Sequence, residues 1–261
     1  MEIDINELFF WEPIALAGTA LEINRVVLLT MLASALCILF FWAGTRRSAL
    51  VPRGIQNLAE TAYLFVRNNI AIDTIGPEGA RYAPYLAALF FFIFFGNLLE
   101  IVPGINFPVN SRMAIPLLLA FLTWIIYNFV GIKKQGLVQY FKGTLFPPGV
   151  PALIRPLLAL IELFSVFVIR PLTLAIRLLA NMMAGHVLLT IFFLFTHQFL
   201  VTDIKPLTLP LGLLTAVVAA GLIVFELLVI SIQAYIFTML TAFYISEAIH
   251  GHGDTAETDH H

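Results

Sequence analysis

Long apolar runs, broken by short polar connections, organise this chain. The first run covers 26–44, with Arg25 before it and Arg46 and Arg47 after it. A helix over that run would be ~28 Å long, close to the hydrocarbon thickness of a bilayer. A second run, 84–102, is closed by Pro103-Gly104, and a third, 114–130, carries Trp124 and Tyr127 toward one end. Between the first two lies a different pattern over 51–80. There Ile55, Leu58, Ala62 and Phe65 recur at helical spacing, with Gln56, Asn57, Glu60 and Arg67 elsewhere, which suits a helix on the membrane surface. Residues 131–155 read as a polar loop, with Lys133, Lys134, Lys142, Arg155 and the turn cluster Pro147-Pro148-Gly149.

The remaining chain is apolar over 156–198 and again, after Thr202-Asp203-Ile204-Lys205-Pro206, to about 249. Each stretch is long enough for two upright spans or for one steeply tilted helix of about 60 Å. Pro171 is the one proline inside the first stretch and no turn cluster interrupts it, which favours two long tilted helices. The expected fold is an all-α polytopic membrane protein, a single domain over 1–261. It has about five membrane-embedded helices plus a surface amphipathic helix. Its parts are an N-terminal outer segment 1–25, a span 26–44, the surface helix and loop 51–80, a helical hairpin 84–130, the polar loop 131–155, a long tilted hairpin 156–249 and a polar tail 250–261.

Composition agrees and narrows the class. Of 261 residues, 60% are hydrophobic and 11% charged, with a net charge of −2. A soluble domain of this size lacks the interior to bury so much apolar surface. A basic nucleic-acid binder, a disordered chain and a disulfide scaffold are excluded. The single cysteine, Cys37, sits in an apolar run as a small hydrophobe. No Cys/His spacing resembles a metal site, and no cofactor motif occurs. Residues 1–12 carry Glu2, Asp4, Glu7 and Glu12 but no Lys or Arg, the reverse of a signal peptide.

Lys and Arg give the orientation. Arg46, Arg47, Arg53, Arg67, Arg81, Lys133, Lys134, Lys142 and Arg155 fall on one side, and Arg25, Arg112 and Lys205 on the other. The basic side is the cytoplasm, or the matrix of an organelle. The N-terminus is then outside and the His-rich tail inside.

Ionisable groups within hydrocarbon are costly and mark function. Here they are Glu100, Glu162, Arg170, Arg177, His186, Glu226 and Glu247, with Asn97, Asn181 and Gln233 as uncharged companions. Thr173, Arg177, Asn181 and Ala184 share one helical face of mostly small residues; His186 lies on the opposite face. Glu226, Gln233 and Leu240 are spaced by sevens. In an antiparallel hairpin turning near Lys205-Pro206, Arg177 lies level with Gln233, His186 with Glu226, and Glu162 with Glu247. This suggests two half-paths for a proton, separated by a charge that does not titrate. Competing readings treat Arg170 as structural or lipid-facing, Glu247 as interfacial charge and Glu100 as a solvated loop acid.

Four blocks resemble subunit a of the rotary ATP synthase. They are Arg170-Pro171-Leu172-Thr173-Leu174-Ala175-Ile176-Arg177-Leu178-Leu179-Ala180-Asn181-Met182-Met183-Ala184-Gly185-His186; Ile232-Gln233-Ala234-Tyr235-Ile236-Phe237; Gly96-Asn97-Leu98-Leu99-Glu100-Ile101-Val102-Pro103; and, more weakly, Pro52-Arg53-Gly54-Ile55-Gln56-Asn57-Leu58-Ala59-Glu60. The resemblance implies a stator proton-channel subunit with two offset half-channels separated by Arg177. Gln233 would accompany that arginine. His186 and Glu226 would form an outer pair, Asn97, Glu100 and Asn181 would line the channel, and Glu162 would be the inner carboxylate. The implied partners are a ring of c subunits, peripheral-stalk b subunits, the rest of the synthase and membrane lipid, without nucleic acid. ATP chemistry would belong to other subunits, with no cofactor or metal here. The implied location is the bacterial cytoplasmic (inner) membrane, with the mitochondrial inner membrane as the alternative. The rival functional class is a proton-coupled secondary transporter, which would need a substrate cavity and usually repeats with broken helices.

Overall fold

The computed structural model describes residues 25–46, 49, 51–102, 109–145, 154–202, 205–206 and 208–250. The acidic stretch 1–12, the stop at Pro103-Gly104, the cluster Pro147-Pro148-Gly149, Asp203 and the tail beyond His250 lie outside these residues.

All the regular structure among the described residues is helical. Helix α1 spans Arg25–Thr45 and α2 Ile55–Phe65. The latter runs on through a π turn, Val66–Ile72, and a short helix, Asp73–Ile75. Helix α3 is Ala83–Leu98, α4 Ala114–Gln135 and α5 Leu137–Leu145. Helix α6, Arg155–Phe164, passes through a π turn, Ser165–Ile169, into α7, Arg170–His197. Helix α8 is Thr208–His250. Among the described residues four helices are long and apolar enough to cross a membrane, and α3 is a shorter apolar helix.

The last two long stretches are each one continuous helix, 48 and 43 residues long, rather than pairs of upright spans. That corresponds to roughly 72 and 65 Å at 1.5 Å per residue, far beyond the bilayer core. They pack along each other as the antiparallel hairpin that the sequence predicts. Near the turn, Gly212 of α8 meets the π turn Gln198–Thr202. A Cβ there would come within 2.6 Å of a Leu200 methyl, so the glycine lets the two segments approach closely without shifting that side chain.

Pro171 is absorbed without breaking the stretch. A π turn directly precedes it, and Arg170 N–H donates to Ser165 O in the wider register. In that register the donor to Val166 O would be the N–H that Pro171 lacks. The Tyr127 hydroxyl of α4 takes its place, donating to Val166 O at 2.9 Å. A carbonyl left over by a proline thereby fastens α4 to the hairpin.

Two expectations need correction. The segment 131–155 is not only a polar loop: α4 runs on to Gln135, and α5 follows after Gly136, whose φ of 84° makes the turn. Helix α5 docks through Tyr140, whose ring lies over Gly131 and whose hydroxyl donates to Asn128 Oδ1 at 3.0 Å. Nor is 51–80 wholly peripheral. Ile55, Leu58 and Phe65 do face outward, but Val66, Ile70, Ala71 and Ile75 are fully buried against α3 and α8. Helix α2 meets α1 where Ala59 rests on Gly44, and Gln56 bonds both backbone groups of Ala49.

Candidate functional site

Two faces of α7 carry the polar residues, and they have different fates. Its backbone is continuous from Arg170 to His197, so residues nine apart point in opposite directions. Leu174, Ala175, Leu178, Met182 and His186 turn inward against α3, α4 and α8, whereas Thr173, Arg177, Ala180 and Ala184 stay exposed. Among the described residues no hydrogen bond or ion pair holds the Arg177 guanidinium. The small side chains beside it leave room for another helix to approach.

The inward face meets a sealed acidic cluster. Glu226 of α8 is 3% exposed and Glu100, just past α3, 2%. The Glu226 carboxyl lies directly against the Cα of Gly185, where a Cβ would fall 2.6 Å from Oε2. Level-matching along the hairpin puts His186 beside Glu226, and its neighbour Gly185 lies against that carboxyl. His186 Nδ1 also lies 3.7 Å from Glu100 Oε1, wider than a direct hydrogen bond. Neither oxygen of Glu100, nor Glu226 Oε1, has a hydrogen-bond partner among the described residues. Buried carboxyls so placed keep a charge only against a nearby cation. Glu100 is therefore no solvated loop acid.

Below this cluster, Asn181 Nδ2 donates to Gln233 Oε1 at 2.5 Å, joining α7 to α8. Gln233 is thus tied to Asn181, one turn from Arg177, and its Nε2 stays buried without a partner among the described residues. Asn97, at the end of α3, accepts from Asn110 Nδ2 at 2.5 Å, and both amides are fully buried. Glu162 is half-buried on α6, on the far side of the π turn, apart from the other predicted site residues.

Two further side chains complete the seam. Arg170 grips Glu247 through Nη1–Oε2 at 2.5 Å and Nη2–Oε1 at 2.9 Å. Its guanidinium also lies 5.2 Å from the centre of the Tyr244 ring. Arg170 is therefore not lipid-facing and Glu247 is not a lone interfacial charge. The signal was in the spacing: Glu247 continues the series of sevens through Glu226, Gln233 and Leu240, and Arg170 precedes Arg177 by the same interval.

Comparison with known proteins gives this geometry a family. Residues 27–246 match the sequence model for the ATP synthase A chain. The protein named ATP synthase subunit a in Frankia alni is 44% identical over 251 residues, covering 95% of this chain and 86% of the relative. That of Rhodococcus erythropolis is 42% identical over 243 residues, covering 93% and 88%. That of Rhodospirillum rubrum is 37% identical over 239 residues, covering 92% and 94%. With its long helical hairpin and with matches over nearly its whole length, this chain belongs to the ATP synthase A chain family.

Proposed function

We propose that the chain is the stator proton-channel subunit of an ATP synthase. It provides two offset half-paths to and from a carboxylate on a partner ring of c subunits, separated by Arg177. The observation that carries this is an exposed guanidinium, unpaired among the described residues, on a small-residue face directly opposite a sealed acid–histidine cluster. Attraction between Arg177 and a carboxylate ~4 Å away at a partly dry interface is on the order of 4 kcal/mol. A rotor carboxylate passing Arg177 sheds its proton there, and must regain one before it enters lipid.

The outer path uses the Glu100–His186–Glu226 cluster, with Asn97 lining it. Glu and His exchange protons readily near neutral pH, whereas arginine does not deprotonate and so blocks a direct route. The Asn181–Gln233 bridge sets the distance between α7 and α8 beside the arginine. The inner path uses Glu162, fifteen residues before Arg177 and so ~22 Å along the helix. Catalytic ATP sites lie on other subunits, and peripheral-stalk b subunits anchor this one. Its bacterial relatives support the cytoplasmic membrane as the site of action.

Arg177→Ala in the assembled synthase tests the reading. Acid-driven ATP synthesis should be abolished, passive proton leak should rise, and the complex should still copurify with a stoichiometric ring. Normal synthesis by the assembled variant refutes the assignment. An active monomer without a ring would favour a proton-coupled secondary transporter instead.

A further inference from the structure

Two basic stretches on different helices meet at one cavity, and neither half-path uses it. The cavity has a volume of ≈ 650 Å³, within the range of small-molecule sites. Arg81 and Tyr82, just before α3, form one wall; Lys133 and Lys134, in the last turn of α4, form another with Phe129 and Val130 one turn earlier. Among the described residues Glu78 is the only acid on the lining, and Lys134 holds it at 2.7 and 2.8 Å. Its carboxyl also feels the charges of Arg81 and His250. The side chains of Arg81 and Lys133 are exposed, without hydrogen bond or ion pair among the described residues. Three cations against one carboxylate leave the lining at +2.

The cavity sits at the depth of lipid headgroups. The apolar run of α3 starts at residue 84 and that of α4 ends at residue 130, with the lysines about one turn beyond. Tyr82 and Phe129 put aromatic rings at the same level, as membrane interfaces favour. On α4, Leu118, Leu122, Ile125 and Phe129 lead up to Lys133, all within ~40° of one direction. These four apolar side chains are between 42% and 63% exposed, so this chain does not cover the stripe. From Leu122 to Lys133 the helix climbs ~16 Å, about half of the ~30 Å hydrocarbon core and the reach of an acyl chain within one leaflet. The Tyr85 hydroxyl of α3 meets that of the buried Thr123 at 3.2 Å, which ties the two helices together beside the stripe.

A soluble anion gains nothing from the stripe. An apolar membrane helix laid on it would cover Arg81 and Lys133 without a counter-charge, which is costly. A zwitterionic lipid brings its own ammonium to the cations, whereas an anionic phospholipid satisfies both ends of the surface. We propose that this surface is a site for one anionic phospholipid from the leaflet on the basic side: Arg81 and Lys133 hold its phosphate, and an acyl chain lies along Phe129, Ile125 and Leu122. Glu78 keeps Lys134 out of that contact and so limits the strength of binding. The proposal stands independently of the reading of Arg177.

The test uses the complete synthase in phosphatidylcholine nanodiscs. It is irradiated with phosphatidylglycerol carrying a photoreactive diazirine on one acyl chain, and label on residues 118–133 is measured by peptide mass spectrometry per assembled complex. At subsaturating probe, phosphatidylcholine with the same chain should label this segment about tenfold less. Arg81→Gln with Lys133→Gln should bring the phosphatidylglycerol signal down to that level. Lys142→Gln, which removes a cation of the same side outside the cavity, should leave it unchanged. Glu78→Gln frees Lys134 and should raise the signal by about fivefold; it gives the deciding result if the double variant assembles poorly. Unlabelled phosphatidylglycerol should compete, and inorganic phosphate should not. Equal labelling by the two probes overturns the proposal, as does a signal that the double variant leaves intact or that Glu78→Gln fails to raise. So does displacement by inorganic phosphate, the mark of a soluble-anion site, and so does absence of label from both probes, the mark of a helix from another subunit covering the stripe.

Discussion

Replacing Gly185 with alanine perturbs the outer cluster by one methyl group aimed at one carboxyl. The added Cβ would lie 2.5 Å from Glu226 Cδ and 2.6 Å from Oε2, and closer still to Oε1. Ordinary carbon contacts are near 3.5 Å, so the carboxyl must retreat by about 1 Å. Overpacking of this size costs roughly 1–3 kcal/mol, and the low end applies because the obstacle is the end of a flexible side chain. Function suffers more than stability, since a displacement of ~1 Å in a reacting group can cost about a hundredfold in rate. Acid-driven ATP synthesis by Gly185→Ala should therefore fall by ten- to a hundredfold, while the amount of assembled complex barely changes. Gly221→Ala, on the same helix as Glu226 with nothing within 4 Å of its Cβ, controls for helix propensity and should synthesise ATP like the parent. Adding Glu226→Asp to Gly185→Ala withdraws the carboxyl by one methylene and should restore part of the rate. Parent-like synthesis by Gly185→Ala would mean that the position of Glu226 does not limit proton entry. An Asp that fails to rescue would point to helix packing rather than carboxyl placement.

Three further outcomes are expected. Tyr127→Phe leaves the buried Val166 carbonyl without its donor, which should lower stability by about 1–3 kcal/mol in thermal unfolding of the purified complex, without changing the leak through it. Single variants Asn181→Leu and Gln233→Leu should be non-additive in coupled pumping, with a coupling of roughly 0.5–3 kcal/mol in a double-mutant cycle, because each strands the other's amide. On the basic side, Lys134 holds the exposed Glu78 carboxyl below its usual range through a 2.7 Å contact. A lowered folded value means that the stabilisation is present above the ordinary carboxylate range and disappears as pH falls through the folded value. The difference in thermal stability between the parent and Glu78→Gln should therefore be small, and should shrink to nothing in acid and in high salt.

What the sequence disclosed depended on the range of the interaction. The two long helices were legible because a run without turn chemistry has nowhere to fold back, and Pro171 alone does not stop a helix if the next register can absorb it. The device that absorbs it, a π turn with Tyr127 as substitute donor, joins residues 39 apart and leaves no local pattern. Helix α5 was missed for a related reason: it is nine residues long, and its anchor is a Tyr140 ring over Gly131, a contact set by tertiary fit rather than by periodicity. Among the site residues, the opposed directions of Arg177 and His186 followed from 100° per residue alone. Which carboxyl meets which base did not, because level-matching assumes two axes with equal rise and no slide. The slide is small near the turn, where Glu226 meets Gly185, the residue next to His186. It is larger near the basic end, where Glu247 meets Arg170 two turns from Glu162. The series of sevens on both helices carried the signal, because the spacing of Arg170 and Arg177 on one helix matches that of Gln233, Leu240 and Glu247 on the other. Of two arginines on one face, the one that meets a carboxylate of its own chain is neutralised there. The other, Arg177, is exposed and has no hydrogen bond or ion pair among the described residues, a contrast that spacing alone could not reveal because it depends on how the two helices pack.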